Sequence, residues 1–234
     1  MTIADVSAGS GKSPLTFLSI ASGPGIGLAT ARRFGRGGYR VVLAARNVAR
    51  LQADAAKLRA EGVEATAVQV DASDARSVAA VVASIGPDLG VLHYNAGILH
   101  YDSAGKLQTR SLADESVDSL VSDTKVNVSS ALAAIHAAVP TMTTQGRGTV
   151  LVTGGGLGVQ PTADFLTLSV GKAGARAIVL ALFPALKERG VHVATVTVAK
   201  LVSPDSRESE EVAEAFWQLH AQRPTEWRAE IVYQ

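Results

Sequence analysis

The sequence contains no cysteine, which excludes disulfide bonds, thiolate nucleophiles and cysteine-ligated metal sites. Aromatic residues make up only 5% of the chain, and acidic and basic residues nearly cancel, leaving a net charge of +1. A chain with this charge balance has no electrostatic bias toward nucleic acid or anionic lipid. We therefore expect no nucleic-acid partner and no membrane partner.

Long apolar runs are missing as well. No uninterrupted run reaches the roughly 18 residues of a transmembrane helix, and the N-terminus lacks the basic and apolar segments of a secretory signal. The five histidines lack the spacing of a helical metal-binding pair, so no metal site is predicted. These absences favour a cytoplasmic protein, and 234 residues suffice for one domain with a full core.

Residues 1–14 are rich in glycine, serine and alanine, and this composition predicts a flexible N-terminal tail ahead of one domain over residues 15–234. Within the tail, Gly9-Ser10-Gly11-Lys12-Ser13 is similar to the end of a P-loop. The glycine that a P-loop needs five residues before Gly11 is replaced by Val6, and no strand precedes the segment. ATP binding is therefore not predicted.

From residue 15 onward, predicted strands alternate with predicted helices. Apolar and β-branched runs predict strands near 15–20, 39–45, 65–70, 91–94, 149–153, 191–198 and 230–233. Two of the helical segments are long: one ends at Pro140, and the other covers 163–189. This alternation predicts a single-domain, Rossmann-type α/β fold, a doubly wound parallel sheet of about seven strands with helices on both faces.

A glycine-rich turn joins the first strand to the first helix. It reads Ile20-Ala21-Ser22-Gly23-Pro24-Gly25-Ile26-Gly27. Glycines let backbone N–H groups approach a pyrophosphate closely, and the helix N-terminus behind them favours negative charge. The candidate binding residues here are Ala21, Gly23, Gly25, Ile26 and Gly27. The alternative is a tight turn without a ligand, and only the rest of the chain can decide between the two.

The motifs that follow, taken in order, resemble those of the short-chain dehydrogenase/reductase family from about residue 15 to the end. The family's T-G-x-x-x-G-x-G turn falls on residues 20–27, with Ala21 at the first glycine position. The other matches are Asp71 in Val70-Asp71-Ala72, the N-A-G motif at Asn95-Ala96-Gly97, Asn127 in a long helix, and the Y-x-x-x-K motif at Leu168 to Lys172.

The resemblance implies roles for these residues. Asp71 and Ala72 would border the adenine, and Asn95, Ala96 and Gly97 would line the cofactor site. Asn127 and Lys172 would belong to the catalytic machinery, and Lys172 would also hydrogen-bond the nicotinamide ribose.

The choice of cofactor can be argued from the end of the second strand. NAD-dependent enzymes place a carboxylate there, but this chain reads Ala44-Ala45-Arg46-Asn47. A guanidinium can pair with the 2′-phosphate of NADP, which a carboxylate would repel. We therefore expect NADP(H), with Arg46 and Asn47 in the binding site. The alternative for Arg46 is an ordinary solvated arginine at a strand end.

The catalytic positions depart from the family. The family protonates its product from a Tyr, held beside a Lys and a Ser, but the Tyr position is Leu168 and the Ser position, thirteen residues earlier, is Gly155. The loop after Gly97 carries His100 and Tyr101 as possible replacement proton donors. The alternative is that this loop is only a polar surface, and packing roles are predicted for His93 and His136.

Two functions remain open at this stage. The first is an NADP(H)-dependent oxidoreductase with a non-standard active site, whose substrate is an activated alkene or imine, or whose proton comes from His100, Tyr101 or water. The second is a redox-silent NADP-binding sensor or partner protein, and a lyase or isomerase on the same fold is a smaller third option. Whether the protein is an enzyme is thus undecided.

Small residues on the two long helices bear on the oligomeric state. They are Ala131, Ala133, Ala134, Ala137 and Ala138 in one helix and Ala173, Gly174, Ala175 and Ala177 in the other. The corresponding helices form subunit contacts in the family, so the resemblance implies a homodimer or homotetramer. The alternative is that these faces pack on the sheet of their own chain.

Overall fold

Seven apolar runs form one parallel sheet in the structure, a computed structural model that describes residues 14–104 and 106–234. The strands are β1 (Thr16–Ile20), β2 (Arg40–Ala45), β3 (Ala65–Gln69), β4 (Leu89–Tyr94), β5 (Thr149–Gly155), β6 (His192–Val198) and β7 (Glu230–Tyr233). Their order is β3-β2-β1-β4-β5-β6-β7, and all neighbours are parallel. The predicted fold class is confirmed. The predicted tail over 1–14 and the Gly9–Ser13 segment lie outside the described residues, apart from Pro14.

Helices cover both faces of the sheet. They are α1 (Ile26–Arg36), α2 (Val48–Ala60), α3 (Ala75–Ile85), α4 (Val117–Thr124), α5 (Ser130–Gln145), α6 (Leu166–Lys187) and α7 (Arg207–His220). Side chains from α1, α2 and α7 form the core on one face, and those from α3, α5 and α6 form the core on the other. Because both faces are covered, central strands such as β1 and β4 are buried along their whole length, whereas the edge strands β3 and β7 are only partly buried.

The long helix predicted to stop at Pro140 does not stop there. Pro140 lies inside α5, which ends five residues later, before Gly146 in the left-handed conformation (φ 62°). Proline removes one backbone donor, but both Pro140 and His136, whose carbonyl loses its partner, are exposed, so water can satisfy that carbonyl. The exposure of His136 also shows that the packing role predicted for it is wrong.

The same segment is not one continuous α-helix. Residues Lys125–Ser129 form a π-helical turn between α4 and α5, with Asn127 at its centre. Such turns widen the backbone and leave a carbonyl without its usual partner. Here the Tyr94 hydroxyl donates a hydrogen bond of 2.5 Å to the Val126 carbonyl, so β4 stabilises the widened turn.

Helix α6 has the length and apolar composition of a membrane-crossing helix, with a mean hydropathy of 1.5 over 18 residues. In the structure it packs against β5 and β6, and Ala175 and Val179 belong to the core. It also carries Lys172 and Arg176, whose guanidinium pairs with Glu230 at 2.7 Å. These contacts are those of a core helix.

Candidate functional site

The sheet order reverses direction at β1, which lies between β2 and β4. Helices that leave β1 and β4 therefore turn to opposite faces, and a crevice opens beyond the carboxyl ends of these two strands. In open α/β sheets this crevice is where ligands bind. The glycine turn 20–27, the segment 95–97 and the end of β5 all meet there.

At one position of the glycine turn, the backbone adopts a conformation that favours glycine. This chain has alanine at that position. Ala21 has a φ of 56°, in the left-handed region. Two hydrogen bonds hold the backbone on either side of it: Asn95 Nδ2 donates to the Ala21 carbonyl at 3.1 Å, and the Ser22 N–H donates to the Ala44 carbonyl at 3.1 Å. These hydrogen bonds thus hold the left-handed backbone although the residue there is alanine.

The turn fits a pyrophosphate. A Cβ on Gly27 would lie 2.9 Å from the Ser22 Cα, so only glycine lets the helix start so close to the turn. A Cβ on Gly23 would meet nothing within 4 Å, so the space beside Gly23 is open. No side chain among the described residues caps α1 at Gly25, and its first turn carries no acidic residue. Uncapped N–H groups and the helix dipole suit a bound anion.

A chain of buried side-chain hydrogen bonds lies beneath the turn. Thr153 Oγ1 donates to Asn95 Oδ1 at 2.8 Å, so it must accept from His93 Nε2 at 3.0 Å. His93 Nδ1 then accepts from Ser19 Oγ at 3.3 Å, which assigns the Nε2–H tautomer. Burial lowers the pKa of His93 to about 3, so the ring is neutral. His93 therefore positions Thr153 and Asn95 rather than only filling space.

Lys172 lies next to this chain. Its Nζ donates to the Thr153 carbonyl at 2.8 Å and to the Ala96 carbonyl at 3.2 Å. Burial lowers the pKa of Lys172 to about 8. An ammonium group has three donors, and with two of them used on strand ends, the third can reach a ligand in the crevice.

Asn127 lies between the loop after β4 and α6. Its Oδ1 accepts from the Ile98 N–H at 3.2 Å, and its buried Nδ2 finds no hydrogen-bond partner within the described ranges. A Cβ on Gly171 would lie 2.6 Å from that Nδ2, so glycine is what lets α6 approach the π-helical turn. An unpaired buried donor is costly, and such groups concentrate at functional sites.

The residues expected around the adenosine gather at the ends of β2 and β3. Arg46 and Asp71 are exposed there, with Ala72 buried behind them. The hydrogen bond from the Ser73 backbone N–H lowers the pKa of Asp71. Asn47 Oδ1 caps α2 by accepting from the Arg50 N–H at 3.0 Å, so the part of Asn47 left for a ligand is its amide nitrogen.

Arg50 belongs to this site as well, although it is not among the residues predicted from the sequence. Its guanidinium donates to the Ser22 carbonyl at 2.5 Å and pairs with Asp54 at 2.6 Å, so it ties α2 to the glycine turn. Asp54 balances the charge of Arg50. Among the described residues at this edge of the sheet, Arg46 is therefore the guanidinium that has no ion pair. Its position in the first turn of α2, close after the cap Asn47, is the feature of the sequence from which the role of Arg50 could have been predicted.

The two catalytic replacements lie next to Lys172. Leu168 is 8% exposed, and its Cδ1 is 4.0 Å from the point where a Cβ on Gly97 would lie. A Cβ on Gly155 would lie 3.1 Å from Lys172 Cγ. The stem of Lys172 therefore lies in close contact with the position where the family's Ser side chain begins, and neither replacement offers an oxygen to a substrate.

A small pocket that opens to solvent borders Leu168, with an enclosed volume of about 20 Å³. Its walls are Ile98–His100, Gln108, Arg110, Leu112, Glu115 and Asp164–Leu168. His100 Nε2 is 2.9 Å from Asp123 Oδ2, a buried carboxylate, so this ring is held in place. Tyr101 is 56% exposed and does not line the cavity. The structure brings His100 to the site but not Tyr101.

Comparison with known proteins agrees with this geometry. The family model "short chain dehydrogenase" matches residues 17–214. The chain belongs to the short-chain dehydrogenase family. No curated protein gave a significant match to this short-chain dehydrogenase.

Solved structures show the same fold over nearly the whole chain. A short-chain dehydrogenase from Rhodopseudomonas palustris is 22% identical, with a TM-score of 0.83 and coverage of 94% of this chain and 98% of that one. A metagenomic short-chain oxidoreductase in complex with NADP is 24% identical, with a TM-score of 0.82 and coverage of 94% and 96%. A short-chain dehydrogenase from Sphingobium yanoikuyae in complex with NADPH is 26% identical, with a TM-score of 0.78 and coverage of 94% and 86%.

Replacement of Ala21 by glycine tests the strain in the turn. Because alanine is disfavoured in the left-handed region, Ala21→Gly should raise the free energy of unfolding by about 0.5–1 kcal/mol, net of the greater chain entropy of glycine. Ala53→Gly, at an exposed position inside α2, is the matched control and should lower it by about 1 kcal/mol. Urea denaturation of the three proteins measures both changes, and equal losses in both variants would contradict the assignment of strain to Ala21.

Proposed function

We propose that this short-chain dehydrogenase is an NADP(H)-dependent oxidoreductase that transfers hydride without the family's Tyr–Ser pair. The observation that carries the proposal is that the dinucleotide features are kept while the proton-donating ones are lost. Asn95, Asn127 and Lys172 stand in the hydrogen-bonded positions described above, and Leu168 and Gly155 replace the two hydroxyl groups. A cytoplasmic location is part of the same proposal.

The preference for NADP(H) is supported by the edge formed by β2 and β3. Arg46 lies at the end of β2, where a carboxylate would select against a 2′-phosphate. Arg50 is already engaged by Asp54 and the Ser22 carbonyl, so Arg46 is the group that would meet the phosphate. That two related proteins were solved with NADP or NADPH agrees with this assignment.

The cofactor, when bound, supplies or accepts a hydride at its nicotinamide ring. Lys172 would hold the nicotinamide ribose with the donor that the Thr153 and Ala96 carbonyls leave free. Leu168 places a buried apolar side chain where the family has its phenol. With no phenol at this position, the chain favours a substrate that does not need a proton from the protein at that point, or one that takes it from His100 or water.

The alternative is a redox-silent NADP-binding sensor or partner protein. It is favoured by one observation: neither Leu168 nor Gly155 offers a hydroxyl group, while the hydrogen bonds that hold Lys172 and the glycine turn are kept. Both functions predict cofactor binding, and only turnover separates them.

We also propose that the chain forms a homodimer or homotetramer, and the exposed face of α6 supports this. Ala131, Ala134, Ala138 and Ala175 are buried in the chain's own core, so these small residues pack within the subunit. The outward face of α6 is nevertheless apolar, with an exposed stripe at helical spacing that consists of Val170, Ala173, Ala177, Leu180 and Pro184. A second copy of the chain would cover this stripe.

Replacement of Arg46 tests the choice of cofactor. We expect NADPH to bind more tightly than NADH, and Arg46→Ala to weaken NADPH binding at least about tenfold through loss of one charge-assisted pair while leaving NADH unchanged. Arg189→Ala, exposed at the far end of α6, is the control and should change neither affinity. Titration by nicotinamide fluorescence measures both, and equal affinities in the unsubstituted protein would count against the assignment.

A substrate panel tests the altered chemistry. With NADPH, the protein should reduce simple ketones at least about 100-fold more slowly than a relative that keeps the Tyr and Ser, because general acid catalysis contributes a factor of this size. Activated alkenes and imines, assayed in parallel, should be turned over. Rapid ketone reduction would contradict our account of Leu168 and Gly155, and binding of NADPH without turnover of any compound would favour the sensor function.

Sedimentation velocity tests the oligomeric state. The unsubstituted protein should sediment as a dimer or tetramer, and Ala177→Arg should shift it toward monomer by placing a charge in the apolar stripe. Ala56→Arg, at an exposed position on α2, is the control and should leave the oligomer intact. A monomeric unsubstituted protein at micromolar concentration would rule out this part of the proposal.

A further inference from the structure

Arg50 contacts the glycine turn through a backbone carbonyl. One terminal nitrogen of its guanidinium, Nη2, donates to the Ser22 carbonyl at 2.5 Å, and the other, Nη1, donates to Asp54 Oδ2 at 2.6 Å. A guanidinium holds its donors in a rigid fork. The bond to Asp54 therefore also fixes the direction from which Arg50 approaches the Ser22 carbonyl.

Asp54 is a firm anchor for Arg50. The side chain of Asp54 is 6% exposed, and its second oxygen lies 3.7 Å from Lys57 Nζ. A buried carboxylate needs partners, and Arg50 makes the shorter of these two contacts. Because the charge of Arg50 is balanced within α2, its main effect on the turn is a directed hydrogen bond.

This hydrogen bond sets the orientation of the Ser22–Gly23 peptide. A trans peptide group is planar, and its C=O and N–H point in opposite directions. Since the Ser22 carbonyl is held toward α2, the Gly23 N–H points away from α2. The next peptide is fixed as well, because the Gly23 carbonyl accepts from the Leu28 N–H at 3.0 Å. Gly23 is thus held on both sides.

The Gly23 N–H has no acceptor among the residues that the structure describes, and the same holds for the N–H groups of Gly25, Ile26 and Gly27 at the start of α1. The space beside Gly23 is open. Such donors next to a helix N-terminus suit the phosphate and ribose oxygens of a dinucleotide. The helix itself orients the donors at its start, whereas the donor of Gly23 depends on Arg50.

We propose that Arg50 is a positioning residue for dinucleotide binding: it holds the Ser22 carbonyl so that the Gly23 N–H faces the cofactor. This role rests on the proposed binding of NADP(H), and it holds for an oxidoreductase and for a redox-silent protein alike. It differs from the role of Arg46, which would meet the 2′-phosphate that NADH lacks. The glycine turn faces the part that NADPH and NADH share, so loss of Arg50 should weaken both nucleotides equally.

Cofactor titrations of Arg50→Met test this role. Methionine keeps an unbranched stem and removes the donors, so the Gly23 N–H is no longer held toward the cofactor. We expect the Kd values for NADPH and NADH both to rise about tenfold, the effect of one hydrogen bond to a charged group, with their ratio unchanged. Arg46→Ala, titrated in parallel by nicotinamide fluorescence, should change that ratio instead.

Arg59→Met is the matched control. Arg59 lies near the other end of α2 and also donates to a backbone carbonyl, that of Ala65 on β3, at 2.7 Å. Its replacement removes a similar contact away from the glycine turn, so the free energy of unfolding should fall while both affinities stay unchanged. Urea denaturation of the two variants separates a loss of stability from a loss of affinity.

Arg50→Lys separates position from charge and serves as the second variant if Arg50→Met does not fold. Lysine keeps the positive charge, but its single nitrogen on a flexible stem cannot hold the Ser22 carbonyl in one fixed direction. We expect this variant to weaken NADPH and NADH equally, by about threefold, because the hydrogen bond is kept only part of the time.

Three results would overturn the role of Arg50. They are unchanged affinities in Arg50→Met, a loss confined to NADPH, which would place the guanidinium on the 2′-phosphate, and full affinity in Arg50→Lys, which would make charge alone sufficient. In each case the unsubstituted protein still binds NADPH, so the proposed cofactor binding stands. Failure of that binding would appear in the unsubstituted protein itself, and it would remove this role as well.

Discussion

The candidate site depends on the pairing of the polar groups buried where β1, β4 and β5 end. Ser19, His93, Thr153 and Asn95 form one directed chain that finishes on the Ala21 carbonyl. His93, Thr153 and Asn95 each have one donor and one acceptor in use, Ser19 donates, and a buried polar group that lost its partner would cost about 1–3 kcal/mol. Misalignment of the three strands would break several of these bonds at once. The chain thus fixes the strand ends and the strained backbone of the glycine turn together.

Lys172 is positioned by the same strand ends. Thr153 contributes its hydroxyl to the buried chain and its carbonyl to the ammonium group, and the Ala96 carbonyl comes from the segment that begins with Asn95. The neutral state of His93 matters here, because a charged imidazolium near Lys172 would add repulsion in a buried environment. The family's Lys is therefore retained by contacts that do not involve the missing Tyr and Ser. This explains how the nucleotide-binding features can persist after the proton-donating ones are replaced.

Sequence reasoning predicted the fold because the parallel strands are buried on both faces and therefore stand out as apolar runs. It placed β7 within 230–233, and the crevice residues follow from that topology. It failed at Pro140, because a proline is expected to end a helix and only the exposure of the turn around it shows why α5 continues. It also missed the π-helical turn around Asn127, which depends on a hydrogen bond from Tyr94 on a different element.

The side-chain pairings of the site were harder still to foresee. For His93 the sequence predicts only a packing role, because a histidine within a strand gives no sign of partners on β1 and β5. Arg50 could have been found from its place one turn into α2. Glu115 could not, since it lies in an irregular loop with no periodicity, and only the folded chain shows that it faces a cavity beside Leu168.

The electrostatics of that cavity bear on which hydride acceptors the proposed enzyme could use. A reaction that creates an anion, such as ketone reduction, would build charge beside Glu115 and Asp164, with Leu168 offering no donor to stabilise it. A reaction that consumes a cation builds no such charge, but carboxylates that stabilise the bound cation do not speed it, because that charge is lost in the transition state. Repulsion by nearby carboxylates and the loss of the phenol therefore disfavour the same class of substrate. The replacement of Tyr by Leu therefore fits a substrate that brings its own proton, and it fits equally a site that binds the cofactor without turnover.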